Sequence, residues 1–214
     1  MVIARAYDLW LGGVRVTAAN KDNILNDWNA SAKYNPDTQE LTLNNPALTG
    51  SYPAEGSNAV IYSKMAGVIL KGKATIDAAG RTWGIYAGAT SGGYDGELVI
   101  NGDFTVTGAS AYDLLSYGDL YVLNGNLTCG SMRGYNRDVC INGGTVTATN
   151  GIMADGNIYI TNGVKKVDAS GTSYGLYAYG KTLSLGDELV ITEPDPANIL
   201  DGKVYDSATD QVAK

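Results

Sequence analysis

Apolar and polar positions alternate in short runs along most of the chain, and Gly, Asn or Asp separates one run from the next. Two phrases keep returning. The first is Ala59-Val60-Ile61-Tyr62-Ser63, then Gly84-Ile85-Tyr86-Ala87-Gly88, Asp113-Leu114-Leu115-Ser116, Gly151-Ile152-Met153-Ala154, Gly175-Leu176-Tyr177-Ala178 and, more faintly, Asn198-Ile199-Leu200-Asp201. The second is an apolar run closed by Asn-Gly or an equivalent: Val68-Ile69-Leu70-Lys71-Gly72, Leu98-Val99-Ile100-Asn101-Gly102, Leu120-Tyr121-Val122-Leu123-Asn124-Gly125, Val139-Cys140-Ile141-Asn142-Gly143 and Ile158-Tyr159-Ile160-Thr161-Asn162-Gly163. A Thr/Val-rich run follows most of these, as in Ala74-Thr75-Ile76, Phe104-Thr105-Val106, Leu127-Thr128-Cys129 and Thr145-Val146-Thr147-Ala148. Runs of this length and composition, bounded by Gly and Asn, predict strands. Their return at intervals of roughly 20 to 30 residues predicts a repeat architecture.

Each repeat supplies about three strands, with Asn and Gly at the corners because they tolerate positive φ. Like residues falling at like positions in successive repeats predict an all-β, right-handed parallel β-helix: a solenoid of about six or seven coils, roughly 30 Å long at the ~4.8 Å strand spacing. Residues 46–192 are its coils. Residues 1–45 read as a cap continuous with them, containing strands at Tyr7-Asp8-Leu9-Trp10-Leu11 and Val14-Arg15-Val16-Thr17 around a Gly12-Gly13 hairpin turn. A short helix is expected at 18–27, and a turn at Asn35-Pro36-Asp37-Thr38 leads into Leu41-Thr42-Leu43. Residues 193–214 are expected to leave the coils at Glu193-Pro194-Asp195-Pro196 and to close the far end with a hairpin that pairs 203–206 with 211–213 through a turn at 207–210. Both ends need covering, because a terminal coil exposes unpaired backbone groups.

Composition narrows the partners. Among 214 residues the formal net charge is −7, which argues against nucleic acid and anionic membrane surfaces, since both select a basic face. No apolar run is long enough to span a membrane, so no membrane insertion is expected. Twenty-eight glycines sit between strand-like runs and not in low-complexity tracts. The start, Met1-Val2-Ile3-Ala4-Arg5-Ala6, lacks the features of a secretory signal, which leaves a cytoplasmic chain or a module of a longer secreted one. Cys129 and Cys140 have no metal-ligand spacing, and the chain contains no histidine to complete a site. No cofactor or metal is expected.

The Tyr7–Thr17 phrase, the Tyr34–Asn44 phrase and the Gly-Ile-Tyr-Ala repeats resemble secreted or cell-surface bacterial repeat proteins with right-handed parallel β-helix repeats, described as carbohydrate-binding or cell-adhesion proteins. The resemblance covers nearly the whole chain. It implies an extracellular or surface location, with signal and anchor lying outside this chain, and it brings no catalytic residues.

Candidate chemistry divides into three classes. A polysaccharide lyase or hydrolase would need convergent acids and a base; Asp113, Asp119, Asp138, Arg133 and Arg137 fall in adjacent coils, and Asp95 with Glu97 and Asp187 with Glu188 are carboxylate pairs at expected turns. Solvated charges, local ion pairs and loop acids are the favoured reading of these residues, so a non-catalytic protein is favoured over the enzyme. A binding module would need exposed aromatic rings. Tyr62, Tyr86 and Tyr177 share one position of the repeat, with Leu115 and Met153 between them, while Trp83, Tyr112 and Tyr174 stand two residues before the Ile/Leu. Strict alternation puts the Trp83 set on the face of Ile85 and the Tyr86 set on the other. If Ile and Ala face the core, then Tyr62, Tyr86 and Tyr177 form an outward column, and Tyr117 and Tyr179, beside turn glycines, extend it. Aromatic faces along a rod suit a glycan or a cell-surface partner; inert stacking or burial of the same rings leaves the third class, a structural spacer.

Overall fold

Alternating side chains give every strand one apolar side, and that side is buried only if strands from successive repeats align in register. They do so in the computed structural model, which describes residues 5–54, 57–64, 67–88, 96–171, 175–179, 182–193, 199–200, 203–204 and 209–213. The described chain is all-β: 24 strands lie in two sheets, of eleven and thirteen strands, rich in parallel pairs. No helix occurs among the described residues, and hence none long and apolar enough to cross a membrane.

The first sheet stacks β6 (Ser57–Ser63), β8 (Trp83–Ala87), β10 (Tyr112–Ser116), β13 (Met132–Gly134), β16 (Ile152–Ala154) and β19 (Leu176–Ala178), all parallel. Its register sets Ile61, Ile85, Leu114, Met132, Ile152 and Leu176 in one inward row, none more than 1% exposed. Burying each such side chain stabilises the fold by roughly 1.5–3 kcal/mol relative to exposure. The second sheet holds two strand columns per repeat, joined where β7 (Gly67–Asp77) and β9 (Glu97–Thr107) run through the corner unbroken. Beyond β9 the columns separate. One continues as β11 (Leu120–Asn124), β14 (Val139–Ile141), β17 (Ile158–Ile160) and β20 (Leu183–Leu185); the other as β12 (Asn126–Cys129), β15 (Gly144–Ala148) and β18 (Val164–Ser170). Inward rows from all three columns form one continuous core.

The corner between the two columns is a stack of glycines. Gly72, Gly102, Gly125 and Gly144 all have positive φ, and a Cβ on Gly125 would lie 2.1 Å from the Gly102 carbonyl oxygen. The expected Asn-Gly corners are present at Gly102 and Gly125, whereas at Asn142-Gly143 the positive φ falls one residue later, on Gly144, and the repeats approach one another closely along this stack.

Antiparallel strands cover both ends. β1 (Ala6–Leu11) and β2 (Val14–Thr17) form the expected hairpin, with Gly12 and Gly13 both at positive φ, and β1 pairs antiparallel with β6. β3 (Ala32–Asn35) pairs antiparallel with β4 (Glu40–Leu48), and β4 is parallel to β7, so parallel stacking already begins within the segment read as cap.

Three expectations are corrected. The helix at 18–27 is a series of turns, because local side chains and β3 claim its backbone groups: Asn20 Oδ1 accepts from the Thr17 amide at 2.7 Å, Asn23 Nδ2 donates to the Asp27 carbonyl at 2.8 Å, and the Ile24 amide donates to the Ala32 carbonyl at 3.0 Å. The closing hairpin has different partners. β23 (Lys203–Val204) pairs with β22 (Ile199–Leu200) and with β19, while β24 (Thr209–Ala213) pairs with β18 and β21 (Val190–Glu193). Each sheet has its own open edge, so the terminal strands serve one sheet each instead of pairing together. The expected exit at 194–196, and residues 207 and 208 of the expected turn, lie outside the described residues. Finally, the strand Met132–Gly134 takes the place of the first phrase in a repeat whose other two strands were expected but whose Met-Arg-Gly wording does not match that phrase.

Candidate functional site: the outer face of the first sheet

With Ile85 and Ala87 turned inward, Tyr86 faces out. The register then sets Tyr62, Tyr86, Leu115, Arg133, Met153 and Tyr177 in one outward column. A second column forms one residue past each strand, where amides donate to the preceding repeat: Tyr117 to Ala87, Tyr135 to Ser116, Asp155 to Gly134 and Tyr179 to Ala154, at 2.7–3.0 Å.

The expected Trp83 placement is corrected here. Trp83 lies 4.8 Å from Tyr86 and packs with Trp10, Ala59 and Tyr62 in a small apolar cluster separate from the core, and Tyr112 meets the outward Arg133, so these two members of the set lie on the outer side. Alternation breaks at Gly84, where a Cβ would meet Val106 Cγ1 at 2.4 Å and the Asp113 carbonyl at 2.7 Å. Tyr174 and Asp95 lie outside the described residues.

The five candidate tyrosines have different surroundings. Tyr62 is 5% exposed, enclosed by Trp10, Tyr52 and Tyr86 at centroid distances of 5.6, 5.2 and 5.1 Å, so its ring contributes packing and offers no open face. Tyr86 and Tyr117 are half-buried and 5.6 Å apart. Burial, and then the Tyr117 hydroxyl, push the Tyr86 phenol well above its ordinary range. Tyr177 is half-buried and Tyr179 is 64% exposed; their rings meet edge-on at 5.7 Å. The predicted column is thus interrupted: Leu115, Arg133 and Met153 separate Tyr86 from Tyr177. What is continuous is a diagonal of rings from Trp10 through Tyr52, Tyr62, Tyr86 and Tyr117 to Tyr135, whose last step is 4.8 Å.

That diagonal ends on a charged group. The Arg133 guanidinium lies 4.8 Å from the Tyr135 ring and 5.6 Å from the Tyr112 ring. Its Nε and Nη2 donate to Asp155 Oδ1 at 3.0 and 2.7 Å, and Nη1 donates to the Tyr112 hydroxyl at 3.0 Å. Asp155 Oδ2 accepts from the Asn136 amide at 3.1 Å, which fixes the acid as well. Neither Tyr135 nor the outward role of Arg133 was found from sequence, because Met132-Arg133-Gly134 replaces the Ile-Tyr-Ala wording. The Asn-Gly pairs at 124–125 and 142–143 were the available signal for that repeat.

Beside Arg133, small residues replace the aromatic position held by Trp83 and Tyr112, and an open depression of about 640 Å³ results, bounded by Tyr112, Gly130, Ser131, Asn150 and Met153. Tyr177 borders its continuation. Asp113 lies beneath it, 2% exposed. Its Oδ1 accepts from the Ala109 amide at 3.0 Å and its Oδ2 from the Gly130 amide. Burial raises its pKa above the ordinary carboxylate value, against the opposing effect of those amides.

The five residues considered for lyase chemistry do not converge. Asp113 is held by backbone amides, Arg133 is paired to Asp155, and Arg137 is exposed. Asp119 and Asp138 form a ladder along one turn, with the Asp138 amide donating to Asp119 Oδ1 at 3.1 Å and the Asn157 amide to Asp138 Oδ1 at 2.6 Å. Asp187 and Glu188 are exposed. Among the described residues no cluster of three or more acids or cysteines is arranged to hold a metal. Cys129 and Cys140 are free thiols, the first in the core and the second half-buried.

The face is therefore built of partly open tyrosine rings, a fixed Arg133–Asp155 pair and an adjoining depression; comparison with protein-family models, with curated proteins and with solved structures finds no match.

Proposed function

We propose that this chain is a non-catalytic recognition or adhesion module, a right-handed parallel β-helix whose first-sheet face holds a neutral glycan. On this reading it belongs at a bacterial cell surface or outside the cell. The observation that carries it is the run of rings from Tyr86 through Tyr117 to Tyr135, ending on Arg133. Half-open phenol rings supply apolar area at low entropic cost. The cation that closes the run is already neutralised by Asp155, so the face favours an uncharged ligand over a polyanion. A glycan strand, apolar on its ring faces and hydroxylated at its edges, matches both features.

The test is affinity electrophoresis in native gels containing neutral and acidic polysaccharides. The parent protein should be retarded by at least one neutral polysaccharide, and a Tyr117→Ala/Tyr135→Ala double variant with an unchanged melting temperature should migrate freely. Uniform migration of the parent through every gel would refute glycan binding and leave the spacer.

A further inference from the structure

Trp28 is 96% exposed, whereas Trp10 is 6% exposed and Trp83 is half-buried among rings. A bare indole on a loose loop would mean little, but this loop is tightly held. The Asp27 amide donates to Asn23 Oδ1 at 3.1 Å, Asn23 Nδ2 donates back to the Asp27 carbonyl, and Asp27 Oδ1 accepts from the Ser31 amide at 2.8 Å. Ile24, just before the loop, is fully buried. Asn26 and Ala30, flanking the tip, have φ of 53° and 48°. Asparagine tolerates this region; alanine adopts it only where its surroundings impose it. Both ends of the loop are thus bent so that Trp28 is held away from the core.

We infer that Trp28 is a second, independent sugar contact: a stacking platform for one pyranose ring of a neutral glycan, with the Asn26 and Asn29 carboxamides addressing its hydroxyls. Both asparagines are exposed, and neither side chain makes a hydrogen bond among the described residues. An indole flanked by free amides offers an apolar centre with polar donors and acceptors at its edge, the few-polar-groups arrangement by which small-ligand sites fix orientation. A protein partner would need a contiguous apolar patch around the anchor, and here the residues beside it in the loop, Asn26, Asp27 and Asn29, are polar. Anionic lipid is disfavoured by the net charge of −7. Holding the ring in place before binding removes the ordering cost that a mobile loop would impose.

Acrylamide quenching of tryptophan emission tests this directly, because Trp28 dominates the accessible signal. Cello-, malto- and galacto-hexaose are titrated into the parent, Trp28→Ala, Asn29→Ala and Tyr117→Ala/Tyr135→Ala proteins. At least one hexasaccharide should protect the parent saturably. Asn29→Ala should weaken that protection by about threefold or more and Trp28→Ala should abolish it, consistent with aromatic anchors dominating binding, while the double tyrosine variant should keep it. Absence of protection across the series, or protection that survives in Trp28→Ala and so arises from Trp83, would overturn the inference. Retention of the parent in the polysaccharide gels alongside an unprotected Trp28 would sink this site alone and leave the sheet face standing.

Discussion

Replacing Gly125 by alanine tests the close stacking on which the whole face depends. Two costs are readable from the structure. Gly125 has φ of +90°, a conformation that costs an L-residue roughly 1–2 kcal/mol. A Cβ there would also lie 2.1 Å from the Gly102 carbonyl oxygen and 2.4 Å from its carbonyl carbon, both backbone atoms with no rotamer to change. Relief requires prising β9 from β12, a form of overpacking worth roughly 1–3 kcal/mol. The lower conformational entropy of alanine in the unfolded chain returns about 0.4–1 kcal/mol. The net loss is about 3 kcal/mol, or roughly 6–12 °C in melting temperature for a chain of this size. Gly80 is the internal control: its φ is +73°, but nothing lies within 4 Å of its Cβ position. Gly80→Ala should therefore cost about 1 kcal/mol. Thermal and urea unfolding of both variants, followed by far-UV circular dichroism, measures the difference. If Gly125→Ala is no less stable than Gly80→Ala, the repeats are not in backbone contact at this corner and the reasoning fails.

Asp113→Asn replaces a carboxylate that accepts from the Ala109 and Gly130 amides with a group having one acceptor oxygen, so an NH₂ must face one of those donors; stability should fall by about 1–3 kcal/mol. Burial raises the folded-state value of Asp113 above the usual 3.8, so the native state binds this proton more tightly than the unfolded chain does. Its contribution is full below 3.8 and is lost as pH rises through the folded value. The urea-midpoint gap between parent and variant should therefore narrow with rising pH over that interval, and a widening gap would contradict the assigned environment. Burial also pushes up both thiols, Cys140 to about 11. At pH near 8, Ellman's reagent should label Cys140 slowly and Cys129 only in urea, since the thiolate is the nucleophile; rapid labelling of Cys129 would place it outside the core.

Much of the strand pattern was legible in the sequence because its causes are local. A strand needs alternation, and a corner needs a residue that accepts positive φ, so Val68-Ile69-Leu70 followed by Lys71-Gly72 announces both. The inward row of Ile61, Ile85, Leu114, Ile152 and Leu176 follows from the same alternation. One member, Met132, was missed because Met132-Arg133-Gly134 does not repeat the phrase. The region 18–27 also misled, since its composition suits a helix while Asn20, Asn23 and β3 supply the backbone with better partners. Which rings are open was decided only by tertiary structure. Tyr62 and Tyr86 occupy the same position in their repeats, yet Trp10 and Tyr52, brought across by antiparallel strands, close over one and leave the other half-open. The Arg133–Asp155 pair likewise depends on the register between β13 and β16, and the outward hold on Trp28 depends on the bends at Asn26 and Ala30. Periodicity specifies which side of a strand a residue occupies; exposure, pairing and access depend on what the rest of the chain brings against that side, and nothing in the local sequence encodes that.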